Sequence, residues 1–361
     1  MNHTILPTNY SKLAQLEGWT RRHFLVAAGA VSLSAIGEAR STAQSGHSDL
    51  VGGNKLKHID VHHHFIPPQY LKEGPPSVAL SKVENWSPAG AIEEMDRHEI
   101  DISVLSFSSP YLWFPGVDNG RRLARLCNDY SAQIIRDRPH RFGLFAGVPP
   151  LTDTEGCMRE IEYALDDLHA HGITVMTSYG NSWLGDPAFA PVWDELNRRE
   201  AVVFVHPAIP VCCTALGRVP PSYMELPFDS ARSVASLWFS GAFERWSRIR
   251  FVFSHGGGAL PMVADRIDKL GRPGREPGVL LHDAITQFDK LYFDTANAAN
   301  PAALAALRAF ANSERILFGT DYPYVPLARG ADDLARAEMS PQQRQAIKNG
   351  NALFLMPKLV S

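Results

Sequence analysis

The feature that most constrains this chain is an alternation. Eight short apolar runs, His58–Phe65, Ile102–Ser108, Phe142–Val148, Ile173–Ser178, Val202–His206, Arg250–Ser254, Leu291–Asp294 and Ile316–Gly319, are separated by stretches of helical periodicity. The runs are short and rich in Val, Ile and Phe, as strands buried on both faces are. Between them Leu123, Leu126, Tyr130 and Ile134 recur at helical spacing, as do Met158, Ile161, Leu165 and Leu168, with Gly172 where a helix C-terminal glycine would stand. Eight β-α units predict an α/β fold, a closed (β/α)8 TIM barrel over residues 58–361, with lid-like loops after strands 1 and 5. An open doubly wound sheet is the alternative, but it needs no count of eight. No G-x-G-x-x-G or G-x-x-x-x-G-K-[ST] follows any strand, so nucleotide chemistry is not expected.

The first residues read differently. Thr20-Arg21-Arg22-His23-Phe24-Leu25 opens a small-residue apolar stretch to Gly37, followed by Arg40 and by Ser41-Thr42-Ala43. That order resembles a twin-arginine export signal over residues 1–43, cleaved before Gln44, with 44–57 as a linker. It implies the twin-arginine export machinery as a partner and a periplasmic or extracytoplasmic location. With the signal reading removed, the cytoplasm is the default. Lys+Arg 35 against Asp+Glu 38 leaves a net charge of −3, so no nucleic-acid partner is expected. No apolar run reaches the ~20 residues of a membrane span, so no membrane anchoring after export is expected. The four cysteines show no C-x-x-C spacing, which argues against a disulfide scaffold or a Cys-rich zinc site. Cys212-Cys213 read as a packed thiol pair in the Pro-rich connection Ala208 to Phe228, a candidate lid or oligomer contact.

Polar residues fall where a barrel needs them for chemistry, at the C-terminal strand ends. The first strand ends in Asp60-Val61-His62-His63-His64-Phe65, and alternation puts His62 and His64 on one face with His63 on the other. His206 closes the fifth strand, His255 the sixth and Asp321 the eighth. Burying five such groups at apolar strand ends is costly unless they pair or bind metal, and their types suit one divalent ion, Zn2+ foremost and Mn2+ as the alternative. Two decoys sharpen the reading. His169-Ala170-His171 repeats the H-x-H spacing but closes a helix at the far rim. His255-Gly256-Gly257-Gly258 is similar to the oxyanion loop of lipase-type hydrolases, but no G-x-S-x-G nucleophile elbow accompanies it.

With these residues in place, the chain resembles the amidohydrolase superfamily. The likeness is to its non-oxidative decarboxylase branch: the aminocarboxymuconate-semialdehyde, γ-resorcylate and methylsalicylate decarboxylases. The motifs are Asp60-Val61-His62-His63-His64-Phe65-Ile66-Pro67-Pro68, Val205-His206-Pro207, Ser254-His255-Gly256-Gly257-Gly258, Gly319-Thr320-Asp321-Tyr322-Pro323 and Gly350-Asn351-Ala352. The resemblance implies that His62, His64, His206 and Asp321 bind one divalent metal. It also implies His255 as the acid/base residue, Arg266 as a contact for a substrate carboxylate, and a homodimer. The fourth strand lacks the lysine that bridges two ions elsewhere in the superfamily, which favours a single metal.

The expected reaction is metal-dependent, non-oxidative decarboxylation of a small aromatic or enol-type carboxylic acid, a carboxy-lyase activity. His255 or Asp321 would deliver a proton to the ring carbon as carbon dioxide leaves. The aromatic loop residues Trp113, Phe114, Tyr179 and Trp183 are candidates to stack on a planar substrate. The alternative is a hydrolase that turns the same site on an ester, lactone or amide.

Overall fold

The computed structural model describes residues 50–361 apart from the segments 52–53, 74–82, 109–115, 213–216 and 271–282. The expected signal, residues 1–43, lies outside the described residues. Within the expected linker, Leu50–Val51 pairs antiparallel with Asn54–Lys55.

Eight parallel strands follow in chain order: β1 His58–His64, β2 Ile100–Ser106, β3 Phe142–Gly147, β4 Gly172–Met176, β5 Val202–His206, β6 Arg250–Phe253, β7 Tyr292–Asp294 and β8 Ile316–Leu317. Each pairs with the next. The sheet closes through hydrogen bonds from Val61 N to Phe318 O (2.9 Å), Asp321 N to His62 O (2.8 Å) and His64 N to Tyr322 O (2.7 Å). This is the (β/α)8 barrel that the alternation predicts. Helices return the chain between strands, and several begin on the expected signals: Ser87, Asp153 and Asn300 cap the helices Pro88–Arg97, Thr154–Glu162 and Pro301–Phe310. No helix among the described residues is long and apolar enough to cross a membrane.

The lumen is a packed core. Ile59, Val61, Ile102, Val104, Phe145, Phe204, Val252, Tyr292 and Leu317 form one buried cluster, which Leu353, Leu355, Met356 and Leu359 join from the C-terminal segment. That segment seals the N-terminal end of the barrel, where Asn349 Nδ2 donates to Leu56 O at 2.8 Å. Polar groups are thereby left to the opposite end, the mouth. In β1 the register against β2 shifts between Asp60 and His63. Val61 packs in the inner cluster while the His62 ring also lies edge-on to Phe204, 5.1 Å between centroids. A bulge of this kind re-aims side chains beside a site.

Three expectations are corrected. Gly172 does not cap a helix: it opens β4, and a Cβ there would sit 2.5 Å from Val202 O, so close strand approach demands the glycine. The last eight residues of the expected connection Ala208 to Phe228 are helical, because the helix Pro221–Phe239 begins within it and continues past an internal Pro227. Cys212 is exposed and disulfide-bonded, not part of a packed thiol pair, whereas Cys127 and Cys157 are buried and free.

Candidate metal centre

His62, His64, His206 and Asp321 each offer one ligand atom at the mouth, and these atoms lie within 4.8 Å of one another, all on buried residues. Residues far apart in the chain meet because the ends of β1, β5 and β8 converge there. Simple alternation from His62 to His64 brings both inward. His63 faces away, and its Nε2 accepts from Trp86 Nε1 at 3.2 Å.

Hydrogen bonds behind the cluster fix each imidazole tautomer. His62 Nδ1 lies 2.8 Å from Asp294 Oδ2, His64 Nδ1 3.1 Å from Ser106 O, and His206 Nδ1 3.0 Å from Pro207 O. Each partner is an acceptor, so each Nδ1 carries the proton and each Nε2 presents a lone pair. His62 Nε2 and His64 Nε2 are 2.9 Å apart, and Asp321 Oδ1 lies 3.4 Å and 3.2 Å from them. Facing lone pairs and a carboxylate oxygen at these distances repel one another unless positive charge lies among them. A single proton joins only one pair, whereas a divalent cation serves all the donors. Three imidazoles and one carboxylate are a donor set for zinc and its transition-metal neighbours, so the residues fit the ion the sequence predicts.

The electrostatics agree. Burial opposes a charge on His62, but the adjoining Asp294 carboxylate outweighs it and makes this imidazole more basic. Burial lowers the pKa of His64, and drives that of His206 well down with help from the neighbouring imidazoles. Both are thereby held in the neutral form that ligates. Burial would raise the pKa of Asp321, yet the close approach of His64 and the other surrounding imidazoles hold it well below the usual carboxylate range.

His255 stands beside this group, with its ring centroid 4.8 Å from that of His62 and 5.6 Å from that of His206. It is half-buried, and its Nδ1 donates to Ala296 O at 3.2 Å, which leaves Nε2 as its basic atom. Burial lowers its pKa, with the Asp321 charge acting in the opposite sense. The glycines that follow are there for space. A Cβ on Gly258 would lie 2.1 Å from Pro227 O and one on Gly256 2.9 Å from Ala298 Cβ, and all three glycines have positive φ. Ala259 N donates to Pro227 O at 2.9 Å, so the helix after β5 docks on the His255 loop.

The remaining predicted residues are not among the grouped ligand atoms. Tyr179 is buried, with its hydroxyl accepting from Met176 N at 3.0 Å and its ring edge-on to Phe189. Trp183 donates through Nε1 to Asp229 Oδ1 at 2.7 Å. Arg266 is exposed on the helix Leu260–Leu270, with no ion pair among the described residues. Trp113 and Phe114 lie outside the described residues. The decoy His171 exchanges bonds with Leu144 at the sealed end, donating from N to Leu144 O at 2.8 Å and accepting from Leu144 N at 3.2 Å through Nδ1.

Sequence reasoning passed over Asp60, Asp294 and Asn297. Asp60 accepts from His62 N, Thr320 N and Thr320 Oγ1 and so ties β1 to the segment that carries Asp321. Asn297 donates through Nδ2 to Asp321 Oδ2 at 3.0 Å. One signal for Asp294 was present: it is a carboxylate at the end of an apolar run, the same placement that singled out Asp321.

The sequence matches the amidohydrolase family over residues 59–356. A 6-methylsalicylic acid decarboxylase of Penicillium expansum is 34% identical over 312 residues, which span 83% of this chain and 96% of the relative. A solved amidohydrolase II is 27% identical with a TM-score of 0.76, over 83% of this chain and 99% of its own. A dihydroxybenzoic acid decarboxylase from Polaromonas sp. JS666, solved with manganese and 2-nitroresorcinol, has the same fold. It is 22% identical with a TM-score of 0.75, over 83% of this chain and 97% of its own. With its barrel matched almost from end to end, the chain belongs to the amidohydrolase family.

Proposed function

We propose that the protein is a metal-dependent, non-oxidative decarboxylase of a small aromatic or enol-type carboxylic acid. The observation that carries this reading is the convergence of three Nε2 lone pairs and Asp321 Oδ1 on one point with His255 alongside. The relative at 34% identity, named for 6-methylsalicylic acid, supports the substrate class. A divalent ion held by His62, His64, His206 and Asp321 supplies Lewis-acid charge that neutralises the negative charge developing on the substrate.

The chain's own residues divide the remaining work. Both Asp321 oxygens are engaged, Oδ1 beside His62 and His64 and Oδ2 with Asn297, so Asp321 stays ionised as a ligand. His255 is the better proton carrier. Its Nδ1 is tied to Ala296 O, and Nε2 takes up a proton and returns it to the ring carbon that bears the carboxylate. The carbon–hydrogen bond forms there, the carbon–carbon bond breaks, and its electron pair stays on the ring as carbon dioxide departs. Arg266, exposed and unpaired among the described residues, is proposed to meet a carboxylate arriving from solvent.

The ion is proposed to be zinc, the preference of a three-imidazole set, with manganese as the alternative that the Polaromonas structure supports. Export by the twin-arginine route rests on Arg21-Arg22 and the apolar stretch after them, and N-terminal sequencing of secreted protein tests it. Assembly as a homodimer rests on the family likeness, and sedimentation tests it.

The deciding experiment incubates metal-loaded protein with salicylate-type acids in oxygen-18 water. Decarboxylation releases carbon dioxide and leaves a product without solvent oxygen. Solvent label in the organic product, with an ester or lactone consumed, would instead assign the hydrolase reading.

A further inference from the structure

The end of β7 supplies no metal ligand, yet three parts of the site lean on it. Asp294 is fully buried, an unfavourable place for a carboxylate unless its oxygens are well bonded. Oδ2 accepts from His62 Nδ1 at 2.8 Å, while Oδ1 accepts from His255 N and from Ala296 N, each at 2.9 Å. One carboxylate therefore holds both a metal-facing imidazole and the backbone of the proposed proton carrier, whose φ is 55°. Gly319 makes room for this, since a Cβ there would sit 2.9 Å from His62 Cβ and 3.0 Å from Asp294 Cβ. Three residues after Asp294, Asn297 turns through a φ of 56° and donates to Asp321 Oδ2 at 3.0 Å.

We propose that Asp294 and Asn297 form a positioning bracket, which sets the tautomer of His62, holds Asp321 to a single ligating oxygen and locks His255 beside them. Neither residue touches the reacting atoms. Asp294 acts by requiring a proton on His62 Nδ1, which keeps Nε2 free to bind the ion. Through its other oxygen it ties the placement of His255 to the same carboxylate, so ion and proton carrier share one anchor. The inference rests on the metal reading above but not on which reaction the ion serves.

Asp294→Asn tests it at nearly constant size. The amide oxygen still accepts from His255 N and Ala296 N, but the NH2 group now faces His62 Nδ1 and drives that proton to Nε2, the ligating atom. Titration of the purified protein with zinc alone, in competition with a chromophoric chelator, should show affinity falling by about ten- to a hundredfold. The melting temperature should stay close to wild type, and kcat should recover largely at saturating zinc. Asp294→Ala, which also releases His255, should keep a low kcat at saturating zinc with KM little changed. Asn297→Gly keeps the left-handed backbone and removes only the amide, so zinc affinity should fall several-fold. Wild-type zinc affinity in Asp294→Asn would overturn the bracket, and wild-type affinity in Asn297→Gly would overturn its second half. A wild-type protein that takes up neither zinc nor manganese would overturn the metal reading itself, a result distinct from either.

Discussion

The two ends of the barrel use one backbone device for opposite purposes. At the sealed end, Glu99, His140, His169 and Glu200 adopt left-handed conformations just before β2, β3, β4 and β5, with φ between 52° and 63°. All four side chains are directed to solvent; that of Glu99 pairs with Lys57, and that of Glu200 with Arg248. These residues end a helix and turn the chain into a strand, a task that asks little of the side chain. At the mouth, His255, Asn297 and Asp321 have φ of 55°, 56° and 68°, but their side chains converge on a shared centre. The mouth combines strained backbone with polar groups interlocked around a buried ligand cluster, and only that combination marks chemistry. Backbone strain by itself does not.

Substitutions can break this contrast or sharpen it. The largest effect is expected for His206→Ala and Asp321→Ala, which remove ligands outright. Metal analysis should show affinity down by more than about a hundredfold, beyond the loss usual for residues one layer behind a metal. Next comes His255→Ala, where the ion should be retained and kcat fall by about a hundredfold or more, as is usual for a positioned acid/base group. Full turnover in that variant would remove His255 from the mechanism. Gly258→Ala places a Cβ against the Pro227 carbonyl at a φ of 62°, and urea unfolding should record a loss of about 2–4 kcal/mol. His140→Gly at the sealed end should be the mildest. Relief of left-handed strain offsets the added freedom of the unfolded chain, so stability should stay within about 1 kcal/mol and kcat should not move. Equal losses in these last two variants would erase the distinction between the ends.

What the sequence made legible follows the same division. Strands of the barrel are short apolar runs because both faces are buried, and all eight were placed from that alone. Their edges were less clear: β2 begins at Ile100 rather than Ile102, since Asp101 is polar yet part of the strand and accepts from Lys57 N and His58 N. The metal-facing residues were legible because imidazoles and a carboxylate are conspicuous at the ends of apolar runs. The bracket was not. Asp294 terminates a run much as a turn-forming residue would, and in Ala296-Asn297-Ala298 only the fold reveals that the amide reaches Asp321. Spacing along a helix likewise does not fix exposure, and only the fold places the Arg266 side chain in solvent.

The central claim is that one divalent ion sits among His62, His64, His206 and Asp321. Anomalous diffraction from crystals of the full chain grown with manganese tests it most directly, because the scatterer is located without reference to any assumed chemistry. A single anomalous peak within bonding distance of the three Nε2 atoms and an Asp321 oxygen is the predicted result. Density elsewhere on the protein, or none at the mouth in crystals whose protein decarboxylates its substrate, would contradict it.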